Sequence, residues 1–478
     1  MKNFYITTTL PYVNSDPHIG FAMELVRADV IARWKKNQGF DVFFNTGTDE
    51  HGQKLFVGAQ EAGITPKEYV DGYAKKFEEL PRALGVSEDI HFVRTTDEHH
   101  IKSAQEFWTI CLNNGFIYKK NYKTKYCVGC ELEKTDSELV DGKCVLHPNR
   151  EIETIDEENY FFKFSAFQDK LLNFYNENPK FVVPDFRYNE IKSFVKNGLE
   201  DFSISRLKEK MSWGVPVPND PDHVMYVWFD ALVNYISTLG WPEKSENFEK
   251  YWVNGTTVQY CGKDNLRQQS AMWQAMLMAG GLPNTKQIVL NGFITGDGGV
   301  KMSKSLGNTV NPYDLVNEYG TDAVRSFLLL ELSSFEDTPF TIERFKSAYN
   351  ANLANGIGNL TSRIMKMSQD NLDSPVSNLD SELPQDYIEK IETFDLQKAA
   401  QVVWHHVGEL DRHIQETEPF KVIKSDKEKG VEIIKELVSR LWKVSTMLKP
   451  FLPETSEKIK ELIKANKVPE KPLFLRKD

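Results

Sequence analysis

Two lysines and two serines fall within five residues in Lys301-Met302-Ser303-Lys304-Ser305, with Gly296, Gly298, Gly299 and Gly307 flanking them. Glycine lets such a segment move and brings its backbone close to a ligand. Ammonium groups on Lys301 and Lys304, with Ser303 between them, can close on a polyphosphate whose charge shifts during a reaction. A solvated basic surface loop would carry the same residues, so the reading needs a partner elsewhere in the chain. Near the N-terminus, His18 opens a helical pattern, and Asp49-Glu50-His51 follows a strand pattern. A second constellation is Cys127-Val128-Gly129-Cys130 followed, after thirteen residues, by Cys144-Val145-Leu146-His147. Three thiolates and an imidazole in two chelating pairs suit tetrahedral Zn²⁺, against the alternative of buried cysteines without a ligand. No base or open coordination position accompanies them, so the metal reads as structural.

The elements that must position these groups follow from periodicity. Phe4-Tyr5-Ile6-Thr7-Thr8 reads as a buried strand, aromatic and β-branched throughout. Ile19, Met23, Val26, Val30 and Trp34 then recur at helical spacing up to Gly39, and Val42-Phe43-Phe44-Asn45 is a second strand. This strand–helix–strand unit leaves polar clusters just past both strand ends, where parallel α/β sheets bind ligands. Residues from Lys119 to Met225 break the rhythm. Met225-Tyr226-Val227-Trp228-Phe229 and Val258-Gln259-Tyr260-Cys261 read as further core strands, the second running into Gly262-Lys263-Asp264. Met272, Met276 and Ala279 mark a helix closed by Gly280-Gly281, and Gln287-Ile288-Val289-Leu290-Asn291 leads into the lysine loop.

From Thr341 onward the pattern is helical. Leu353, Ile357, Leu360 and Ile364 form one apolar face, while Asn355, Asn359 and Arg363 line another. The fold class is therefore α/β: a Rossmann-type parallel-sheet domain split by a zinc-binding insertion and followed by a C-terminal α-helical bundle. The divisions are 1–118 and 225–293 for the two halves of the split domain, and 119–224 for the insertion. Residues 294–347 hold the lysine loop and its connection, and 348–478 the bundle.

Composition narrows the function classes. At 478 residues, with 40% hydrophobic and 27% charged content, the chain has room for two to four ordinary globular domains. It offers no signal-peptide core and no run near the ~18 apolar residues of a membrane span. Five cysteines, three of them between Cys127 and Cys144, make a poor disulfide framework and point to a reducing cytoplasm. A net charge of −11 argues against indiscriminate nucleic-acid binding and leaves room for local lysine patches.

His18-Ile19-Gly20 matches three positions of the HIGH signature and Lys301 to Ser305 match KMSKS completely. The pair, in order and at both ends of a split α/β domain, resembles class I aminoacyl-tRNA synthetases. Thr46-Gly47-Thr48-Asp49-Glu50-His51-Gly52, Trp213-Gly214-Val215-Pro216-Val217-Pro218, Val227-Trp228-Phe229-Asp230-Ala231 and the single zinc knuckle are similar to the methionyl-tRNA synthetase branch. The resemblance implies methionine activation by ATP with Mg²⁺, then transfer to initiator and elongator tRNA(Met). It places His18, Gly20, Asp264, Lys301, Ser303 and Lys304 at ATP, with His18, Asp264, Lys301 and Lys304 in catalysis. Asp49 would take the methionine ammonium, and Leu10, Tyr12, Trp228, Tyr235, Gln269 and Trp273 would shape the side-chain slot. Asn359, Arg363 and Phe420 would meet the anticodon, 348–478 being an anticodon-binding domain.

Three positions depart from the family pattern: Phe21 replaces the last histidine of HIGH, Gln269 a pocket histidine, and Phe420 an anticodon-stacking tryptophan. A silent tRNA-binding paralogue is one rival reading, opposed by Asp49 and the intact KMSKS. An adenylate-forming ligase without tRNA is another, opposed by the helical region with Asn359 and Arg363. A cysteinyl-tRNA synthetase would hold its metal at the substrate thiol, whereas all four ligands here lie together in the insertion. The chain ends soon after the helical region, so a monomer without the extra tRNA-binding and dimerising module is expected.

Overall fold

Apolar β-branched and aromatic runs build one central sheet, ordered His91–Arg94, Asp41–Thr48, Asn3–Thr7, Thr256–Gly262, Gln287–Asn291, Val182–Val183. Pairing is parallel from His91–Arg94 through to Thr256–Gly262, and again between Gln287–Asn291 and Val182–Val183. In register, Tyr5 sits between Phe43 and Thr257. Phe4, Tyr5 and Ile6 are all buried, as a parallel sheet covered on both faces requires. The computed structural model describes residues 2–477 apart from 131, 135, 244, 301, 303–308, 378 and 380. Lys301, Ser303 and Lys304 thus lie outside the described residues.

The chain forms two compact units. The first takes in Met1–Pro17, Gly39–Glu79 and Glu88–Leu290. It holds the central sheet and a four-stranded antiparallel sheet ordered Phe202–Ser203, Glu153–Phe162, Ile117–Cys127, Leu132–Lys134. The long hairpin of Ile117–Cys127 with Glu153–Phe162 carries the cysteine knuckle at its far end. An aromatic core that includes Trp108, Phe229, Trp252 and Trp273 fills this unit. One expectation is corrected: Val227–Ala231 is a helical turn, and the strand before it is only His223–Met225. Phe229 packs edge-on against Trp108, 5.2 Å between ring centroids, and Asp230 bonds inward to His51. Those contacts override the strand propensity of Val-Trp-Phe.

The second unit takes in His18–Gln38, Leu80–Ser87 and Asn291–Asp478. Helices Leu396–Thr417, Lys427–Leu448 and Pro453–Ala465 pack against Asn359–Asn371, where Leu360 and Ile364 are buried, and Gln385–Glu392 packs against Leu396–Thr417. Asp395 and Asp426 start two of them by accepting from the amides of Lys398 and Lys429. Helix Ile19–Asn37 is fastened into this unit by buried charge. Arg27 donates to the carbonyls of Leu328, Leu332, Ser333 and Ser334. Asp29 pairs with Arg325 at 2.8 Å, both side chains fully buried. Glu392 accepts from Trp34 Nε1 and Lys35 Nζ, each at 2.6 Å.

Candidate functional site

The carboxyl ends of the central strands gather the expected small-molecule residues of the first unit. Asn3–Thr7 runs out towards Leu10 and Tyr12, and Asp41–Thr48 towards Asp49. Thr256–Gly262 runs into the short Lys263–Asn265 turn that carries Asp264. Backbone bridging joins the first two segments: Asp49 N–H donates to Pro11 O at 3.0 Å, and Val13 N–H to Asp49 O at 3.4 Å. Asp49 is 3% exposed, so its carboxylate is held in a largely dry position. The Tyr12 ring meets Trp228 edge-on, with centroids 6.4 Å apart. Leu10, Tyr12 and Trp228 are half-buried, and Asp264 is exposed.

Behind them lies a second layer. Tyr235 accepts a 2.6 Å hydrogen bond from Gln269 Nε2, and its ring lies 6.0 Å from that of Trp273. Trp273 is fully buried, so it backs Tyr235. Gln269 sits in a widened π-helical turn, Gln268–Met272, a geometry common where a side chain must be re-aimed. Gln274 Nε2 holds that turn by donating to Gln269 O at 2.9 Å.

Residue spacing did not predict one feature. His51 Nδ1 lies 2.7 Å from Asp230 Oδ2 with both side chains buried, and burial pushes the Asp230 carboxyl up while His51 pulls it down, with a net rise. The signal lay in two segments already singled out, but nothing in the sequence paired them. Glu50 is likewise occupied, accepting from Arg94, Thr48 and Thr96. Trp213 Nε1 donates to the Glu50 carbonyl.

In the second unit, His18 caps its own helix: its Nδ1 accepts from the Gly20 amide at 3.1 Å. That bond places the proton of a neutral ring on Nε2, making Nε2 the donor. A Cβ on Gly20 would lie 2.9 Å from His18 Cε1, so glycine is what lets the ring fold back. The Ile19 amide donates to Val310 O at 3.0 Å, tying the helix start to the segment after the lysine loop. Phe21 is buried.

The bundle brings Arg363 and Phe420 to one cavity of about 460 Å³, lined also by Ser362, Lys366, Met367, Ile414 and Val468. Phe420 is 46% exposed there, and Arg363 is paired with Asp411. Asn359 is exposed one turn earlier on the same helix and is not part of the lining.

The ligand atoms of Cys127, Cys130, Cys144 and His147 lie within 4.8 Å of one another. Cys130 Sγ is 3.4 Å from Cys144 Sγ and 3.2 Å from His147 Nδ1, and Cys127 Sγ is 3.9 Å from His147 Nδ1. Those separations are close to the edges of a tetrahedron around an ion about 2.0–2.3 Å from each ligand, so the residues fit a metal. A Cβ on Gly129 would come within 2.5 Å of His147 Cγ, so only glycine leaves that ring its place.

The chain matches the family described as tRNA synthetases class I (M) over residues 4–150 and 129–365. It is 41% identical to the methionine–tRNA ligase of Caldanaerobacter subterraneus, over 96% of this chain and 74% of that one. With that of Brucella melitensis it shares 38% identity over 97% of this chain and 92% of the relative. The structure of Mycobacterium tuberculosis methionyl-tRNA synthetase in complex with methionyl-adenylate superposes with a TM-score of 0.89. There the identity is 35%, over 97% of this chain and 94% of that one. By sequence over nearly its whole length and by fold, the chain belongs to the methionine–tRNA ligase branch of the class I tRNA synthetases.

Proposed function

We propose that the chain activates methionine with ATP to methionyl-adenylate, releases pyrophosphate, and transfers methionine to the 3′ end of tRNA(Met), initiator and elongator. The observation that carries the amino-acid half is the buried Asp49 carboxylate beside the Tyr12–Trp228 pair at the carboxyl edge of the sheet. Asp49 takes the methionine ammonium, and the rings with Leu10 make an apolar slot for the thioether, backed by Tyr235, Gln269 and Trp273.

Adenylate formation is an in-line displacement at phosphorus, so positioning and charge neutralisation do the work. His18 donates from Nε2 to a phosphate oxygen, and the amide end around Gly20 adds its positive dipole. Lys301, Ser303 and Lys304 grip the leaving pyrophosphate, and Asp264 orients the nucleotide. Mg²⁺ accompanying ATP would share the charge of the phosphates. Cys127, Cys130, Cys144 and His147 would hold Zn²⁺ with all four positions filled, cross-linking the knuckle.

On the bundle, Phe420 stacks on an anticodon base while Arg363 and Asn359 read base edges. We assign 1–118 with 225–293 to the catalytic domain, 119–224 to the insertion, 294–347 to the lysine loop and 348–478 to anticodon binding. We place the protein in the cytoplasm as a monomer; among the described residues no helix is long and apolar enough to cross a membrane. The test is amino-acid-dependent ATP–pyrophosphate exchange across the standard amino acids, with Lys304→Ala alongside. Methionine alone should drive exchange, and the variant should lose it. Exchange driven by another amino acid would refute the pocket assignment.

A further inference from the structure

The two walls of the proposed methionine slot come from distant stretches of chain. Asp49 sits on the loop after Asp41–Thr48, and Trp228 on the helical turn Val227–Ala231. Each wall is anchored on its own side. Asp49 is bridged through its backbone to Pro11 and Val13. The helical turn is gripped by Phe229 against Trp108 and by the Tyr226 amide donating to Ile204 O at 2.7 Å. Between the walls run an edge-on contact of the Tyr12 and Trp228 rings, 6.4 Å between centroids, and a 3.4 Å bond from Asn45 Nδ2 to Asn234 Oδ1, both too loose to set a distance by themselves.

We infer that the buried His51–Asp230 pair is the positioning element that does so, setting the distance between the Asp49 carboxylate and the Trp228 ring. His51 follows Asp49 by two residues, and Asp230 follows Trp228 by two. Two residues along a helix turn a side chain through about 200°. Trp228 therefore faces the slot while Asp230 faces the interior, where its Oδ2 meets His51 Nδ1 at 2.7 Å. Both side chains are buried, 5% and 0% exposed, so water does not compete for the bond. The imidazole lies 5.6 Å from the Trp213 ring, whose Nε1 donates to the Glu50 carbonyl. The residue between Asp49 and His51 is thus pinned as well. A carboxylate that must meet an ammonium and a ring that must meet a thioether work only at a fixed separation. A buried hydrogen-bonded pair, with one member behind each wall, holds that separation.

The inference rests on the proposed slot, so the experiment separates the two. Methionine-dependent ATP–pyrophosphate exchange is measured for the full chain and for His51→Ala, Asp230→Ala, Asp230→Asn, His51→Ala/Asp230→Ala and Asp49→Asn. Loss of the tie should raise KM for methionine on the order of tenfold to a hundredfold, with KM for ATP within about twofold. Asp230→Asn keeps an oxygen for the His51 N–H and should recover most of the loss. The double variant should be no worse than either single one, because both remove the same tie. Asp230→Asn is nearly isosteric and the double variant leaves neither partner buried alone, so together they decide the matter even if a single alanine variant does not fold. A methionine KM within twofold of the parent in folded His51→Ala overturns the inference, as does an equal rise in both KM values. If Asp49→Asn also leaves the methionine KM unmoved, the slot itself is wrong; if only Asp49→Asn raises it, the slot stands and the tie falls.

Discussion

Arg325→Leu tests whether the helix that begins at His18 is held by buried charge. The Arg325 guanidinium is fully buried and donates to Phe451 O at 2.7 Å, Leu84 O at 3.1 Å and Pro450 O at 3.1 Å. It also pairs with Asp29 at 2.8 Å. Removing one member of a buried pair costs about 3–5 kcal/mol, because the other charge stays behind. Asp29 is not left alone, since Arg33 at 2.8 Å and the Ser87 amide and hydroxyl at 3.0 and 2.9 Å remain. The lower part of that range, about 3–4 kcal/mol, is therefore the expectation, the three carbonyls that lose their donor keeping it from falling further. A chain of two units need not unfold in one step, so the readout is hydrogen exchange by segment. Amides of 24–38 and 446–455 should exchange roughly 140- to 700-fold faster, since 1.4 kcal/mol is a factor of ten. Asp29→Asn in the Arg325→Leu background should cost less than in the parent. Acceleration below tenfold, or spread evenly over the chain, would refute the reasoning.

Three further outcomes follow from other sites. Burial, with smaller pushes from His51 and His99, holds His100 down to about 3. Folding thus costs more as pH falls from its unfolded value of about 6.5 towards 3, by up to about 1.4 kcal/mol per unit, and His100→Gln should flatten the urea midpoint over that range. Chelation should release one metal ion per chain and open the 127–147 knuckle to protease while sparing the bundle, and Cys130→Ser should bind no ion in elemental analysis. Phe420→Ala should raise KM for tRNA in charging assays by about tenfold, and Phe420→Trp should lower it or leave it unchanged.

What the sequence disclosed depended on how local the cause was. The core strands at Phe4, Val42, Val258 and Gln287 were legible because each is a short apolar run buried on both faces. The knuckle was legible because metal chemistry fixes ligand spacing. The helical turn at Val227 was not, since its reasons, Trp108 and His51, lie more than a hundred residues away. Val182–Val183 joins the central sheet with two residues, too few to carry a period. Helix Ile19–Asn37 was located correctly, but its five-residue apolar stripe understated it, because Glu24, Arg27 and Asp29 are buried too. A charged residue reads as solvent-facing unless its partner is in view, and the partners of Arg27 and Asp29 lie near residues 325–334.

The three departures from the family pattern differ in the same way. Gln269 keeps a donor where the histidine would have one: its Nε2 meets the Tyr235 hydroxyl at 2.6 Å, and Gln274 holds its backbone. The amide thus does the holding without a group that titrates near neutrality, so methionine binding should lack a histidine-like pH dependence at that position. Phe420 keeps an exposed ring at the bundle cavity and loses only an N–H. Phe21 is the substitution with a chemical cost, because a buried phenyl ring offers no proton to a phosphate. On the proposed reading His18 is then the imidazole donor of the motif, and its fold-back bond to Gly20 is what commits the ring proton to Nε2. Gly20→Ala would crowd that ring at 2.9 Å and break the commitment, so it should lower kcat for adenylate formation while leaving KM for methionine in place.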